Sequence, residues 1–353
     1  MNSVITAWEA HSPLGRTAEG HRQAVLEGPA APEAGSRLVP GFDIKEALGR
    51  KGVRSMDRAT ALAVVTTGRL LERTGLGKDD RRCADDELGL VLGTTEGSLQ
   101  SLTAFDHDSY TREKPFDVPP SLFPVVLMNY HAGQCAIWHR IKGPNSTICG
   151  SHLTSLLALS YACRLQSNGH ARAVLAGAVE ECSDARDSYE QARNEDDPQR
   201  PSGEGCVMFL LEPAGPVGED GPGGSGGPHR EGATVVAVEF GFFPEPDLVR
   251  PALRDCLTRA LDRAGVEPGK VAAVAPSPVL GPRGEAELAA IAQVFGDVPL
   301  ATASLDALGD TRAAATGFQL AELLSRPGEP GRLVAATATD AEGRVGCALL
   351  RIG

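Results

Sequence analysis

Few residues in this chain combine a type and a setting that could do chemistry, and most of them sit in one stretch. Gly143 to Glu180 reads GPNSTICGSHLTSLLALSYACRLQSNGHARAVLAGAVE. Cys149 ends a short β-prone run. Gly150-Ser151 breaks that run, and His152 stands at the start of the helix that follows, where an imidazole would be a general base. With Ser277 and Asp310 further on, His152 completes a Ser/His/Asp set by residue type. Such a set has little specificity by itself, and the chain has no G-x-S-x-G elbow. Its eight cysteines form no C-x-x-C pair, and no zinc spacing, phosphate loop or dinucleotide fingerprint occurs. No metal and no cofactor is therefore expected. His131, lacking paired ligands, is a weak candidate for a ligand or base.

The elements that must position these residues follow from pattern. Ser146 to Cys149 is a short strand, and from His152 to Leu165 apolar residues cover almost every face, as in a helix at the centre of a protein. Ser167-Asn168-Gly169 suits a left-handed cap. Ala171 to Ala178 is a continuous apolar run, the mark of a strand covered on both faces. Upstream, Val4 to Ala7, the helix Ala61 to Thr74 and the strand Leu88 to Thr94 precede a helical stripe formed by Leu99, Leu102 and Phe105. Asp184 to Gln199 is polar and acidic and reads as a surface loop. Residues 213–232 are rich in Gly and Pro without an apolar period and read as a flexible linker. Beyond them the plan repeats weakly. Strands are expected at Thr234 to Phe240, Val271 to Ala275, Ala301 to Ser304, Leu333 to Thr339 and Gly346 to Arg351, with helices at Leu248 to Gly265, Gly284 to Phe295 and Asp310 to Leu324. The expected division is an N-terminal half, 1–212, the linker, and a C-terminal half, 233–353, each rich in βαβ units.

The first stretch resembles the nucleophile region of the β-ketoacyl synthases (ketosynthases), GP-x-x-x-x-x-T-A-C-S-S-x-L-x-A-L-x-x-A-C. Gly143-Pro144, Leu156, Ala158-Leu159 and Ala162-Cys163 match at the same offsets. The resemblance extends to Ser12-Pro13-Leu14-Gly15, to Phe123-Pro124 with Asn129 to Gln134, and to the Arg200-Pro201 and Glu204-Gly205 anchors, between which the family's phenylalanine loop is trimmed. It implies an α/β thiolase-like fold, two pseudo-repeated halves forming a layered α-β-α-β-α sandwich. It also implies that the reactive cysteine's place is taken by His152, with Cys149 three residues early. The family's two catalytic histidines fall on Ser277 and Asp310. No histidine occurs after His229, so the second half cannot supply either one. A carboxylate at Asp310 would repel the carboxylate and enolate that those histidines serve.

Ketosynthase relatives without a nucleophile include the chain-length factors of bacterial type II polyketide synthases. The trimmed loop and short second half are closer to the factors of polyene-making, highly reducing systems. The resemblance then implies a catalytically inactive subunit that pairs with an active ketosynthase as a heterodimer or an α₂β₂ assembly, and that meets an acyl carrier protein through that complex. It further implies a substrate tunnel lined by Leu99, Leu102 and Phe105. The expected dimer interface is formed by Asn129, Tyr130, His131, Asn145, Ser146, Thr147, Ile148 and Cys149. Two alternatives stay open: an acyl-thioester hydrolase or acyltransferase using His152, and a self-associating scaffold.

Bulk properties agree with these expectations. The 353 residues are enough for two packed halves, and 42% apolar with 23% charged residues is a globular composition. A net charge of −12 argues against a nucleic-acid partner. No apolar run approaches a membrane span, and the start, MNSVITAWEAHSPLG, lacks the pattern of a signal peptide, so a cytoplasmic protein is expected.

Overall fold

The computed structural model describes residues 3–29, 35, 37–79, 81–193, 200–214 and 232–353. The first half runs β1 (Ser3–His11), α1 (Ala18–Glu27), α2 (Ile44–Leu48), α3 (Arg58–Arg73), β2 (Leu88–Gly93), α4 (Leu99–Thr111), α5 (Tyr130–His139), β3 (Asn145–Ile148), α6 (Thr154–Ser167), β4 (Ala173–Glu180), α7 (Asp184–Ala192) and β5 (Gly205–Pro213). The second runs β6 (Ala233–Phe242), α8 (Val249–Ala264), β7 (Val271–Ala275), α9 (Gly281–Phe295), α10 (Leu305–Leu308), α11 (Ala315–Ser325), β8 (Leu333–Thr339) and β9 (Arg344–Ile352). The linker expected at 213–232 falls almost wholly on 215–231, outside the described residues.

Among the described residues the strands form one sheet in the order β3-β2-β4-β5-β1-β6-β9-β8-β7. Its middle seam is thin, since β1 and β6 pair only through Val4–Thr234 and Ile5–Ala233. On either side of the seam the two halves mirror each other. The place of β3 is taken in the second half by a single bridge, Leu300 to Val274, beyond β7.

Side-chain alternation then builds the layers. Val91, Val174, Ala176, Val207 and Phe209 of the first half pack in one core with Val334, Ala336, Ala348 and Leu350 of the second, around α6 and α11. The opposite face of the first half, with Leu88, Leu90, Leu92 and Leu175, packs against α3 and α5. That of the second, with Ala335 and Leu349, packs against α8 and α9. The result is five layers, α-β-α-β-α, the thiolase-like architecture that the resemblance implies. β2 and β4 are buried along their whole length, because helices cover both faces.

Strand β4 tolerates this packing because Gly177 lets β5 approach. A Cβ at Gly177 would lie 2.0 Å from the Val207 carbonyl oxygen and 2.7 Å from the Met208 sulfur. Gly177→Ala should lower stability by about 3 kcal/mol, the upper part of the overpacking range. Urea unfolding followed by circular dichroism checks this, and an unchanged midpoint would show that the strands can separate at little cost.

Three local expectations are corrected. Asp184 to Gln199 is not a loop where it is described, because α7 forms there, capped by Ser183, whose hydroxyl accepts the Arg186 N–H. Ala301 to Ser304 is not a strand, as only Leu300 makes a bridge and Ser304 already caps α10. Helix α6 is not covered all round, since Leu157, Ser160, Tyr161 and Cys163 are half-buried and Arg164 is exposed. Its end is as expected, with Gly169 at φ +72° just beyond the cap.

Candidate functional site

β3 ends at Ile148, and the chain then turns through Gly150 and Ser151 into a tight turn, Ser151–Leu153, that opens α6. Ser151 has φ +46°, a left-handed conformation that costs a non-glycine residue energy. Hydrogen bonds hold it. The Gly150 N–H donates to Thr154 Oγ1 (3.0 Å), and the Thr154 hydroxyl donates to the Ser151 carbonyl (2.7 Å). The second half repeats the device, with Arg312 at φ +39° in the turn Arg312–Ala314 that opens α11. Each half thus keeps a sharp elbow before its central helix, and the two elbows meet.

At that meeting point, His152 Nε2 donates to Asp310 Oδ1 at 3.0 Å across 158 residues of sequence, with both side chains buried. Asp310 also accepts the Arg312 backbone N–H at 2.9 Å and lies 3.4 Å from the Arg312 guanidinium, while its carbonyl accepts from Arg186 at 2.8 Å. Burial works to raise the pKa of this carboxyl, but His152, Arg312 and Arg186 outweigh it and hold the group well below the usual carboxylate range. The His152 carbonyl accepts the Thr316 hydroxyl, and the ring Nδ1 has no hydrogen-bond partner among the described residues. The imidazole is therefore clamped between the two halves by its ring and its backbone.

Ser277 does not complete a triad. Its N–H donates to Glu287 Oε1 (3.0 Å), and its hydroxyl donates to the same buried carboxylate, which also accepts from Thr337 at 2.5 Å. A serine engaged in this way is not deprotonated by His152, so the expected alternative of a Ser277–His152–Asp310 hydrolytic set is not assembled. Nor is Cys149 an activated thiol. Its sulfur bonds the Thr95 carbonyl (3.0 Å), and burial, followed by the charge of Glu96, pushes its pKa up rather than down.

The remaining expected residues divide by burial. Asn129, Asn145 and Cys149 are exposed and Ser146, Thr147 and Ile148 half-buried, on or beside β3, the edge strand of the sheet. Tyr130 and His131 lie inside the chain. His131 Nδ1 shares a 2.6 Å hydrogen bond with Thr60 and sits 4.0 Å from Asp57, so in this chain it braces α5 against α3 rather than offering a surface or a ligand. Tyr110, Phe116, Phe123, Leu127 and Ile137 are exposed apolar side chains of the first half. Helix α4 has no buried residue. Leu99, Leu102 and Phe105 are half-exposed, and the Phe105 ring lies 6.4 Å from that of Phe123.

The residues that organise this region include several that pattern reading did not single out. Glu180, which ends the apolar strand β4, and Glu181 just after it are buried acidic side chains, and Arg186 and Arg312 are buried guanidiniums beside them. With Thr95, Glu96, Leu99, Tyr189, Glu190 and Arg193 they line a cavity of about 20 Å³, room for roughly one water. The signal was present in the sequence as two acidic residues closing an otherwise apolar strand. Among the described residues no cluster of three or more His, Cys, Asp or Glu side chains could hold a metal, and no helix is long and apolar enough to cross a membrane.

Comparison with known proteins sets this geometry in context. Residues 4–215 match the family model described as the N-terminal domain of β-ketoacyl synthase. The 3-oxoacyl-[acyl-carrier-protein] synthase 2 of Vibrio cholerae is 28% identical over 192 residues, 51% of this chain and 46% of that protein. The corresponding synthase of Synechocystis is 28% identical over 190 residues, 50% of this chain and 45% of that protein. The chain thus spans about half the length of the curated relatives it matches. Among solved structures, the ishigamide ketosynthase/chain length factor superposes with a TM-score of 0.87 at 37% identity, covering 100% of this chain and 99% of that one. The ketosynthase ApeO in complex with its chain length factor ApeC, from Xenorhabdus doucetiae, superposes with a TM-score of 0.76 at 14% identity, covering 100% and 98%, which speaks for the fold alone.

Proposed function

Because the chain belongs to the β-ketoacyl synthase family, we propose that it is the family's non-catalytic variant. In this reading it is a chain-length factor that pairs with an active ketosynthase and shapes the tunnel in which an acyl chain grows. The observation that carries this reading is the His152–Asp310 pair. Where the family resemblance places a cysteine nucleophile and a histidine, this chain has an imidazole tied to a carboxylate. A buried, ionised Asp310 offers neither the proton donor nor the positive charge that would stabilise an enolate. The pair instead joins the two halves at the elbow. The likeness to the ishigamide ketosynthase/chain length factor over almost the whole of both chains supports the same assignment.

The partner surface in this reading is the edge strand β3. An edge strand leaves backbone N–H and C=O groups unpaired and is normally covered. Asn145 to Cys149 would pair with the corresponding strand of the ketosynthase, and the carrier protein would be met through the complex. Co-expression with an active ketosynthase, sizing and product analysis test the reading. A stable complex that makes product is expected. Acyl-thioester hydrolysis by the chain alone, abolished in His152→Ala, would replace this proposal with the hydrolase.

Within the complex, His152→Ala should leave condensation within a few-fold of the parent. A loss of ~10³ or more, the scale of removing a catalytic group, would show that His152 takes part in the chemistry. Single-turnover rates with the paired ketosynthase, compared at equal complex concentration, decide between these outcomes.

A further inference from the structure

Helix α4 carries Leu99, Leu102 and Phe105, yet none of its residues is buried. It cannot be held by a hydrophobic face of its own, so something else fixes where those side chains point. Its fixed end is the N-terminus. The Gln100 N–H donates to Glu181 Oε1 at 3.0 Å, and the Ser98 cap approaches Glu181 Oε2 at 3.5 Å. The same carboxylate accepts the hydroxyl of Ser183, the cap of α7, at 3.0 Å. The N-terminal ends of α4 and α7 therefore converge on one buried carboxyl group, whose oxygens accept hydrogen bonds from both. The side-chain carbonyl of Gln100 in turn reaches back to the Ala185 N–H of α7 at 3.4 Å.

The neighbouring carboxylate extends the link. Glu180 Oε2 accepts the Thr95 N–H, just before α4, at 3.3 Å, and the Ala313 N–H, in the elbow of the second half, at 3.2 Å. Glu180 ends β4, whose residues are all buried, and Glu181 follows it directly, itself buried. An otherwise poorly anchored helix is thus fastened, through two side chains, to the centre of the fold.

We propose that Glu181 is the positioning residue for α4, holding Leu99, Leu102 and Phe105 in register so that the helix presents a fixed stop to the growing chain. This rests on the chain-length-factor reading of the preceding section. Glu181 touches no acyl group in this scheme and acts only through the helix. Its removal should therefore blur product length, whereas a change of side chain on α4 itself should move it.

The test uses the complex with its ketosynthase and two variants. Glu181→Ala removes both acceptor oxygens, whereas Glu181→Gln keeps one carbonyl oxygen to accept from Gln100 and guards against a variant that fails to assemble. Hydrogen–deuterium exchange should show the first-turn amides of α4 exchanging at least ~10-fold faster in Glu181→Ala and by an intermediate factor in Glu181→Gln, with α3 and α6 unchanged. Mass spectrometry of released chains should show a broader length distribution in the same order. Unchanged α4 exchange in both variants overturns the proposal. So does faster exchange with an unchanged product distribution while Phe105→Ala shifts length, a result that leaves the chain-length-factor reading standing. If Phe105→Ala and both Glu181 variants all leave product length unchanged, the tunnel reading falls and this inference with it.

Discussion

Phe105→Ala or Leu102→Ala should lengthen the product of the complex by one or two extension units without abolishing synthesis. The reasoning starts from exposure. A helix whose Leu99, Leu102 and Phe105 were part of the subunit's own core would lose ~2–5 kcal/mol on truncation of one of them. Here all three are half-exposed, and among the described residues the ring contact of Phe105 is with Phe123, which is itself exposed. Truncation should therefore cost this chain little stability. If the three face the tunnel, removing several methylenes opens space that the acyl chain itself fills, and elongation stops later. Mass spectrometry of the released chains together with the yield of complex provides the check. Lower yield at constant length for both substitutions would place these side chains in a packing role and remove the tunnel assignment.

The second large effect concerns acid. Between pH 6.5 and about 4.5 the chain should lose much of its stability, before most of its carboxylates titrate. Burial, reinforced by Arg69 and Arg16, lowers His11 to about 3. Burial lowers His21 to about 4 against the opposing charge of Glu322, and lowers His139 to about 4 despite its bond to the Val64 carbonyl. All three stay neutral in the folded chain while the unfolded chain protonates them below 6.5, so falling pH favours unfolding. Glu181 has the opposite sign. Burial raises it to about 7, so the folded chain takes up a proton there that the unfolded chain binds only near 4.5.

Burial also raises Glu96, Glu287 and Asp340, which oppose the histidines as Glu181 does, so three protons gained on unfolding against the one lost at Glu181 give an upper bound near pH 5.5 of roughly 2.7 kcal/mol per pH unit. Below about pH 4 the depressed Asp310 adds a further loss, since its stabilisation is present above the unfolded carboxyl pKa and disappears as that group is protonated. Urea unfolding at half-unit steps from pH 7.5 to 4.5 measures the slope, and His21→Phe should reduce it by one proton. Stability that is flat from pH 7 to 5 would mean that these histidines are hydrated or paired in solution.

The sequence by itself carried the fold class, the order of most strands and helices, and the elbow with His152 in the nucleophile's place. Those features are local. The continuous apolar runs of β2 and β4, an apolar central helix and a glycine-marked stop are each written in a dozen consecutive residues. The missing histidines were visible too, because a residue type absent from a whole half is absent in any register. The sequence also placed α4 and its apolar triplet correctly along the chain.

Only the tertiary structure decided what those pieces do to one another. α7 was hidden because its buried face is not apolar: Arg186 fills it, bonded to the carbonyls of Glu181, Gly203 and Asp310. Ala301 to Ser304 has the composition of a strand, but the chain passes the sheet edge at one residue and turns into α10. Ser277 and Asp310 share the resemblance that singled them out, yet one hydroxyl is tied to Glu287 and the other group holds His152. His131 looked like a surface residue until α3 covered it with Thr60. In each case the deciding partner lies far along the chain or is polar. Periodicity records which side of an element is dry. It carries no information about which distant donor meets which acceptor, because that depends on the packing of complete layers, and here two of those pairings, His152–Asp310 and Arg186–Asp310, join the two halves.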